Sequence, residues 1–309
     1  MRRCLQIARC GLRRAKPNPS VGAVIVAPGG RILGEGYTSS YGGAHAEVNA
    51  FASVRPSDEP LLRQSTMYVS LEPCSHYGHT PPCCDLIIRK GVPRVVVGCV
   101  DPFAQVSGRG IDRMRQAGIQ VTVGVLEGEC LASNRRFITA STAHRPFVML
   151  KWAQSADGFI DDHGRAAAIS SPFTFMLSHK LRAETDAIVV GHVTDQREHP
   201  QLNVRQWWGP SPRRAVLCRP STPSGLLARL QADGCQSVLV EGGAITLQSF
   251  LDAGLWDVIR VETAQALVFG EGTRAPRLPE ALRLERTENY GQQNISLYSR
   301  QPSTPSHSL

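Results

Sequence analysis

The sequence contains no long hydrophobic run. No window approaches the roughly 18 uninterrupted apolar residues that a membrane-spanning helix needs. The segment from Met1 to Cys10 carries charges inside its apolar stretch, and no small-residue cleavage site follows it. We therefore expect no membrane partner and no signal peptide, and the expected location is cytoplasmic.

Low-complexity segments and a disulfide framework are also missing. The 28 glycines and 21 prolines are scattered, which is typical of ordinary globular domains. An odd count of 9 cysteines without a secretory signal favours free thiols and metal ligands over disulfides. The formal charge of +8 permits nucleic-acid binding, but a phosphorylated substrate explains it equally well. Because the C-terminal half has no aromatic-rich basic stripe, we expect no nucleic-acid partner.

The length of the chain suggests two domains. At roughly 100 to 200 residues per domain, 309 residues are enough for two, and strands alternate with helices through both halves. A polar, helix-capable connector over residues 127–145 separates the alternations, so we place one domain at 1–143 and the other at 144–309. Three local predictions bear on the site: a helix over 4–15, a hairpin of strands 21–26 and 32–37, and a helix over 44–52.

The chemistry-bearing residues begin with His45 and Glu47, followed by Cys74 and Cys83. One imidazole and two thiolates make three ligands for zinc and leave the fourth tetrahedral position for water, as in catalytic zinc sites. His45 opens the helix predicted over 44–52. Both cysteines are placed at predicted helix N-termini, where the helix dipole favours the thiolate.

Glu47 is interpreted as the general acid/base. Two residues apart on a helix, His45 and Glu47 would point about 200° from each other and would be poorly placed to share one ion. Glu47 would instead move a proton from the attacking water to the departing ammonia. Each element alone is weak evidence, since Cys83 and Cys84 could be two buried thiols. Their joint order is that of the zinc deaminases, and a purely structural zinc conflicts with the three-ligand count.

The spacing of the cysteines is more specific. Eight residues separate Cys74 from Cys83, where the general deaminase pattern has two. With Pro17-Asn18-Pro19-Ser20-Val21-Gly22 before it and Asp101-Pro102 after it, the sequence resembles the bifunctional riboflavin biosynthesis family, whose members are pyrimidine deaminases and uracil reductases. The resemblance extends over nearly the whole chain. It implies a cytidine-deaminase-like α/β/α layered domain followed by a dihydrofolate reductase-like α/β domain.

The resemblance assigns roles in the first domain. His45, Cys74 and Cys83 would bind one Zn²⁺, and Glu47 would be the catalytic acid/base. The pocket for the pyrimidine and the ribose phosphate would be lined by Asn18, His76, His79 and Thr80. The family usually has Lys or Arg at the position of His79, so phosphate affinity could depend on pH here.

In the second half, Val240-Glu241-Gly242-Gly243 ends a predicted strand and precedes a helix. Backbone N–H groups there could bind a phosphate, although Gly-Gly at a strand end is more often a tight turn. The segments 151–158, 181–183 and 202–205 resemble the reductase half of the family, which uses NADPH. The implied substrate contacts are Arg182, Leu202, Arg205 and Glu241. The implied cofactor contacts are Ala153, Thr194, Glu198, Gly243, Ala244, Ile245 and Thr246, and Arg219 is placed to pair with the 2′-phosphate.

Departures from the family lie in this half. Glu198-His199-Pro200 replaces Asp-Asp-Pro, Ala168 replaces a tryptophan, and only 17 residues separate Cys218 from Gln236, so the domain is shortened. The expected function is deamination of 2,5-diamino-6-(5-phosphoribosylamino)pyrimidin-4-one, then NADPH-dependent reduction of the ribose of 5-amino-6-(5-phosphoribosylamino)uracil. We expect a homo-oligomer. Two alternatives remain open: a deaminase with a degenerate reductase domain, and a nucleoside or tRNA base deaminase with a C-terminal interaction module.

Overall fold

The computed structural model describes residues 1–77, 81–102 and 107–300. The chain divides into two compact units, Met1–Ala143 and His144–Leu309. Within the described ranges, every helix is too short or too polar to cross a bilayer.

The first unit contains, among its described residues, one sheet of five strands in the order β2-β1-β3-β4-β5. The strands are β1 (Gly22–Val26), β2 (Ile32–Tyr37), β3 (Thr66–Leu71), β4 (Arg94–Cys99) and β5 (Gln120–Val123). The helices are α1 (Arg2–Ala8), α2 (Ala46–Ala52), α3 (Cys83–Lys90), α4 (Arg109–Gln116), α5 (Glu127–Ser133) and α6 (Arg135–Thr142), with a 3-10 helix at Pro56–Gln64. The predicted hairpin is confirmed, because β1 and β2 pair antiparallel. Strands β3, β4 and β5 are parallel to one another.

Both faces of this sheet are covered. Side chains alternate between the faces of a strand, so Ile25 of β1 packs in the main core with Ala50 of α2. On the other face, Val24 packs in a smaller cluster with Cys4 and Ile7 of α1. The buried residues Val24 and Ile25 of β1 therefore lie between helices on both faces of the sheet.

The helix predicted over residues 4–15 is wrong in its extent, because α1 ends at Ala8. The hydroxyl of Ser20 donates to the carbonyl of Ala8 at 2.6 Å, so a tertiary contact satisfies the last carbonyl of the helix. Turns follow and bring Gly11 so close to Ser20 that a Cβ on Gly11 would lie 2.6 Å from its hydroxyl. Helical spacing of apolar residues does not reveal this contact.

The second unit contains, among its described residues, a sheet of seven strands in the order β11-β12-β10-β6-β9-β7-β8. The strands are β6 (Phe147–Ser155), β7 (Ala187–Gly191), β8 (Arg213–Leu217), β9 (Ser237–Val240), β10 (Val258–Ala264), β11 (Leu282–Tyr290) and β12 (Gln293–Arg300). The helices are α7 (Pro172–Ala183), α8 (His192–Glu198), α9 (Pro223–Ala232) and α10 (Ala244–Asp252). Sequence patterns missed α8, which consists mainly of polar residues, and β11, most of whose residues are exposed.

Five neighbouring strands of this sheet, β10, β6, β9, β7 and β8, run parallel. Their carboxyl ends therefore meet at one edge, which is where open α/β sheets bind ligands. Most of the residues proposed for the reductase site follow these ends, whereas Ala153 lies within β6 and Arg182 within α7. Helix α9 occupies the short connection between β8 and β9.

Candidate active sites

Three elements bring the potential zinc ligands together. His45 is the N-cap residue of α2, Cys74 follows the end of β3, and Cys83 is the first residue of α3. The imidazole nitrogen and the two sulfur atoms lie within 4.8 Å of one another.

Two local predictions about these residues are wrong. His45 is not helical, because its backbone is extended with φ −72° and ψ 166°. The argument that His45 and Glu47 point about 200° apart therefore does not apply, and both side chains line one cavity. Cys74 lies in a loop rather than at a helix N-terminus, and its sulfur accepts the backbone N–H of Cys83 at 3.3 Å. That N–H belongs to the first residue of α3, so the helix terminus still acts on the Cys74 sulfur.

The donor atoms have the spacing that zinc requires. His45 Nδ1 lies 3.5 Å from Cys74 Sγ and 3.4 Å from Cys83 Sγ. Tetrahedral zinc with typical bonds of about 2.3 Å to sulfur and about 2.05 Å to nitrogen would separate nitrogen from sulfur by about 3.6 Å. The agreement, together with a donor set of one imidazole and two thiols, fits zinc.

Electrostatics within the cluster favour one thiolate before metal binds. The thiol of Cys83 donates to Cys74 and, with His45, lowers the pKa of Cys74 to about 4 against the effect of burial. The same contact and burial raise the pKa of Cys83, because the proton that the pair retains stays on its sulfur. The hydrogen bond to Cys74 also raises the pKa of His45. A divalent cation would offset the repulsion between two thiolates at this distance.

Glu47 is a buried carboxylate beside this cluster, with 4% of its surface exposed. Burial, and then the negative charge of Cys74, raise the pKa of Glu47 to about 7. A group with such a pKa can both accept and release a proton near neutrality, as a general acid/base must.

A cavity of about 430 Å³ opens over the cluster. Five of the residues proposed from sequence line this cavity, namely Asn18, His45, Glu47, Cys74 and His76. His79 and Thr80 lie outside the described residues. Tyr41, which also lines the cavity, was missed by sequence reasoning because no motif marks it.

Two polar residues that hold the backbone around the site were missed as well. The carboxylate of Glu72 is buried and accepts the backbone N–H groups of Gly108 and Gly110, each at 2.9 Å, which ties the start of α4 to the end of β3. The side-chain amide of Asn49 donates to the carbonyls of Tyr37 at 2.7 Å and Ala44 at 3.4 Å, and so holds both ends of the segment before His45. An acidic residue directly after an apolar strand was the available signal for Glu72.

In the second unit, Arg182 and Glu241 form a bidentate ion pair. Arg182 Nε donates to Glu241 Oε1 at 2.9 Å and its Nη2 donates to Oε2 at 2.8 Å, and each side chain is 8% exposed. The ammonium of Lys151 lies 3.8 Å from the same carboxylate. Burial raises the pKa of Glu241, but Lys151 and Arg182 outweigh it and lower the pKa to about 2.

Lys151 was not singled out from the sequence. It stands within the otherwise mostly buried strand β6, directly before the buried Trp152. A lysine inside such a strand is itself a signal, since buried lysines are paired. Burial lowers the pKa of Lys151, and Glu241 opposes that effect.

Leu202 and Arg205 lie on an irregular segment between α8 and β8. Leu202 is buried in a left-handed conformation with φ +50°. Arg182 Nη1 donates to the carbonyl of Asn203 at 3.4 Å. Arg182 therefore contacts both Glu241 and the segment that carries Leu202 and Arg205, so the structure brings the four proposed substrate residues together.

Part of the proposed cofactor set gathers at the ends of β7 and β9. Gly243 is the N-cap residue of α10, and a Cβ there would lie 2.9 Å from the hydroxyl of Thr194. A Cβ on Gly191 would collide with Thr246. Gly243 makes no side-chain cap, so the first N–H groups of α10, at Ala244, Ile245 and Thr246, are open to a phosphate. The close packing of Thr194 and Thr246 against these glycines, together with the open N–H groups, is compatible with a turn that binds a dinucleotide phosphate.

The other proposed cofactor residues are placed differently. Ala153 lies on β6 opposite Glu262 of β10, near the carboxyl end of the strand. Glu198 is exposed at the end of α8, and Arg219 is exposed after β8.

Comparisons with known proteins found a match for each of the two units. Residues 1–99 match the cytidine and deoxycytidylate deaminase zinc-binding region, and residues 146–224 and 220–296 match the RibD C-terminal domain. The riboflavin biosynthesis protein RibD of Aquifex aeolicus is 33% identical over 97% of both chains. RibD of Synechocystis is 40% identical over a stretch that covers 71% of this chain and 58% of that protein.

A solved structure is also similar over nearly the full length. It is a diaminohydroxyphosphoribosylaminopyrimidine deaminase/5-amino-6-(5-phosphoribosylamino)uracil reductase from Thermotoga maritima, with a TM-score of 0.88, 34% identity and 97% coverage of both chains. The fold class predicted from the sequence, a cytidine-deaminase-like domain followed by a dihydrofolate reductase-like domain, is confirmed.

Proposed function

This chain belongs to the RibD family of bifunctional deaminase and reductase enzymes of riboflavin biosynthesis, and from that premise we propose which of its residues carry the two reactions. The family membership gives the reaction classes, a zinc-type hydrolytic deamination and a reduction. The residue roles below are our assignment.

In the first domain, His45, Cys74 and Cys83 hold one zinc ion per chain. When bound, zinc would lower the pKa of a water so that it can lose a proton near neutral pH and attack the ring carbon of the diaminopyrimidine. Glu47 takes the proton of that water and delivers it to the leaving ammonia. The observation that supports this assignment best is the convergence of the three donor atoms within 4.8 Å beside the buried Glu47.

The rest of the cavity binds the substrate. Asn18 and His76 line it together with Glu47, and we assign them to the pyrimidine and the ribose phosphate. His79 and Thr80 receive the same role from the family pattern alone. The substrate is 2,5-diamino-6-(5-phosphoribosylamino)pyrimidin-4-one.

In the second domain, Arg182, Leu202, Arg205 and Glu241 bind 5-amino-6-(5-phosphoribosylamino)uracil, and we add Lys151 because it shares the carboxylate of Glu241. When bound, NADPH supplies the hydride that converts the ribose to a ribityl chain. The Gly243 turn with Thr194 and Thr246 holds the cofactor phosphates, and Ala153, Glu198 and Arg219 contact the rest of the nucleotide.

The direct test is to incubate the purified protein with the diaminopyrimidine ribotide, with and without NADPH. Ammonia release without NADPH and a ribityl product only with NADPH are expected. Glu47→Gln is the matched control, since it should stop ammonia release while the separately supplied uracil intermediate is still reduced. Absence of ammonia release from the zinc-loaded protein would overturn the deaminase assignment.

A second candidate is a deaminase with an inactive reductase domain. It is favoured by the exposed positions of Glu198 and Arg219 and by the single helix α9 between β8 and β9. Ammonia release without any ribityl product would support it. Location in the cytoplasm, a homo-oligomeric state and the absence of a nucleic-acid partner stay predictions, and light scattering with a nucleic-acid-binding assay would test the last two.

A further inference from the structure

One face of helix α7 holds the segment that carries the proposed substrate residues. Phe175, His179 and Arg182 are spaced by four and three residues, so they lie on the same face of the helix. Two of them make hydrogen bonds to the segment, Arg182 to the carbonyl of Asn203 and His179 to the backbone of Arg205.

His179 makes the more specific of these contacts. Its Nδ1 accepts the backbone N–H of Arg205 at 3.2 Å, and its ring packs edge-on against Phe175 with centroids 4.8 Å apart. The guanidinium of Arg205 lies 5.4 Å from the centre of the Phe175 ring and donates to the side chain of Asn203 at 3.0 Å. The backbone and the side chain of Arg205 are therefore both held, and the imidazole holds the backbone.

The protonation state of this ring decides whether the contact exists. An imidazole accepts at Nδ1 only when it is neutral with its proton on Nε2, because the protonated ring donates from both nitrogens. His179 is fully buried, and Nε2 has no hydrogen-bond partner among the described residues. Protonation would thus place two donors, the ring N–H and the Arg205 N–H, against each other.

The charges around the ring oppose its protonation. Arg182 on the same helix, Arg205 on the held segment and Glu241 after β9 face it. Burial lowers the pKa of His179 and both arginines lower it further, while Glu241 and a hydrogen bond with the backbone of Asn203 partly oppose them. The ring is therefore neutral at pH 7, and it gains a proton only as the pH falls below the ordinary histidine value of about 6.5.

We propose that His179 is a positioning residue for the reductase site, whose neutral ring fixes Arg205 for the phosphorylated substrate and whose protonation releases it. This inference rests on the proposed role of Arg205 in substrate binding. Its consequence is a reductase whose affinity for substrate falls in acid while the chemical step is affected less.

The test compares His179→Gln and His179→Leu with the unmodified chain. Glutamine can accept the same N–H but does not titrate, whereas leucine cannot accept it. His163→Asn serves as the control for an exposed histidine of the same domain, since asparagine tolerates its φ of +51°. KM and kcat of the reductase are measured from pH 5.5 to pH 8 at saturating NADPH.

At pH 7.5 we expect His179→Leu to raise KM about fivefold to tenfold, the usual effect of losing one hydrogen bond, and His179→Gln to stay near the unmodified value. Toward pH 5.5, KM should rise more in the unmodified chain and in His163→Asn than in His179→Gln. The glutamine variant also corrects for titration of the substrate phosphate, which has a pKa of about 6. An equal acid rise in His179→Gln, or an unchanged KM in His179→Leu at pH 7.5, would overturn the proposal.

Hydrogen exchange at the Arg205 amide gives a readout that needs no reductase activity. We expect protection at pH 7.5 in the unmodified chain and in His179→Gln, and loss of protection in His179→Leu. Tryptophan fluorescence confirms that the second unit of each variant is folded, because all 4 tryptophans belong to that unit. If no variant reduces the substrate, the proposed reductase function fails, and the exchange result still decides whether His179 holds Arg205. Equal protection in all three proteins would refute that contact.

Discussion

The two candidate sites of this chain use charge in different ways. At the zinc cluster, the donor atoms of His45, Cys74 and Cys83 lie within 4.8 Å of one another, and the lowered pKa of Cys74, about 4, makes it a thiolate before metal binds. At the reductase site, Arg182 and Lys151 already surround the carboxylate of Glu241. The first site is a set of ligands whose negative charge would be neutralised by a bound cation. In the second site, the charges are already paired within the protein.

This difference predicts different responses to substitution. A metal site with three protein ligands has no redundancy, so losing one ligand removes the function. In an ion-paired framework several charged groups stabilise one another, so a substitution should reduce stability and substrate affinity without abolishing them. Substitutions in each site test that contrast.

Cys74→Ser or Cys83→Ser should abolish tight zinc binding and deamination, because each removes one of three ligands. Cys84→Ser is the matched control next in the chain, since the Cys84 thiol contacts Asp85 and burial raises its pKa to about 11. It should keep about one zinc per chain. Metal analysis of the three purified variants decides the matter, and loss of zinc in Cys84→Ser alone would reverse the assignment.

Glu47→Gln should keep its zinc and lose deamination by a factor of about 10² to 10⁴, the usual contribution of general acid/base catalysis. The amide can still form hydrogen bonds but moves no proton. Reduction of separately supplied 5-amino-6-(5-phosphoribosylamino)uracil should be unchanged, which makes the second domain an internal control. A deamination rate near that of the unmodified chain would show that Glu47 has another role.

The same contrast explains how much the sequence could predict. The zinc ligands were identified because each stands in a short pattern, His-X-Glu or Pro-Cys, that is visible without the fold. The backbone conformations of these ligands were not predicted. His45 precedes its helix and Cys74 lies in a loop, and both positions depend on tertiary contacts.

The reductase framework shows the opposite case. Lys151 and Glu241 meet because β6 and β9 are adjacent and parallel, although 89 residues separate them in the chain. No local pattern encodes that register, and the proposed roles of Arg182 and Glu241 came from the family resemblance. Strand β11 was missed because its exposed residues give no buried face to detect.

Glu241→Gln should lower the free energy of unfolding of the second domain by about 3 to 5 kcal/mol at pH 7, because it leaves Arg182 and Lys151 buried without a counter-charge. The pKa of Glu241 is about 2 in the folded state and about 4.5 as a free group. Its stabilisation is therefore present above about pH 4.5 and is lost as the pH falls toward 2.

Tryptophan fluorescence isolates this effect, since all 4 tryptophans belong to the second unit, at Trp152, Trp207, Trp208 and Trp256. Urea unfolding at pH 7 and pH 3 should show a smaller difference between Glu241→Gln and the unmodified chain at pH 3. A constant difference at both pH values would mean that the carboxylate does not supply the stability. Glu198→Gln, an exposed carboxylate of the same unit, is the control and should change the unfolding free energy little.

The smallest expected effect is that of NADPH, and it separates an active reductase from an inactive one. Saturating NADPH should stabilise the second domain by about 2.7 kcal/mol at a hundredfold excess over Kd. NADPH should stabilise it more than NADH does, because Arg219 can pair with the 2′-phosphate. Thermal melts of the full chain, followed by tryptophan fluorescence, measure both effects. The same melts of Arg219→Ala should show no preference for NADPH over NADH but some stabilisation by either nucleotide. No shift with NADPH, together with no ribityl product, would mean that the ion-paired framework persists in a domain that no longer reduces its substrate.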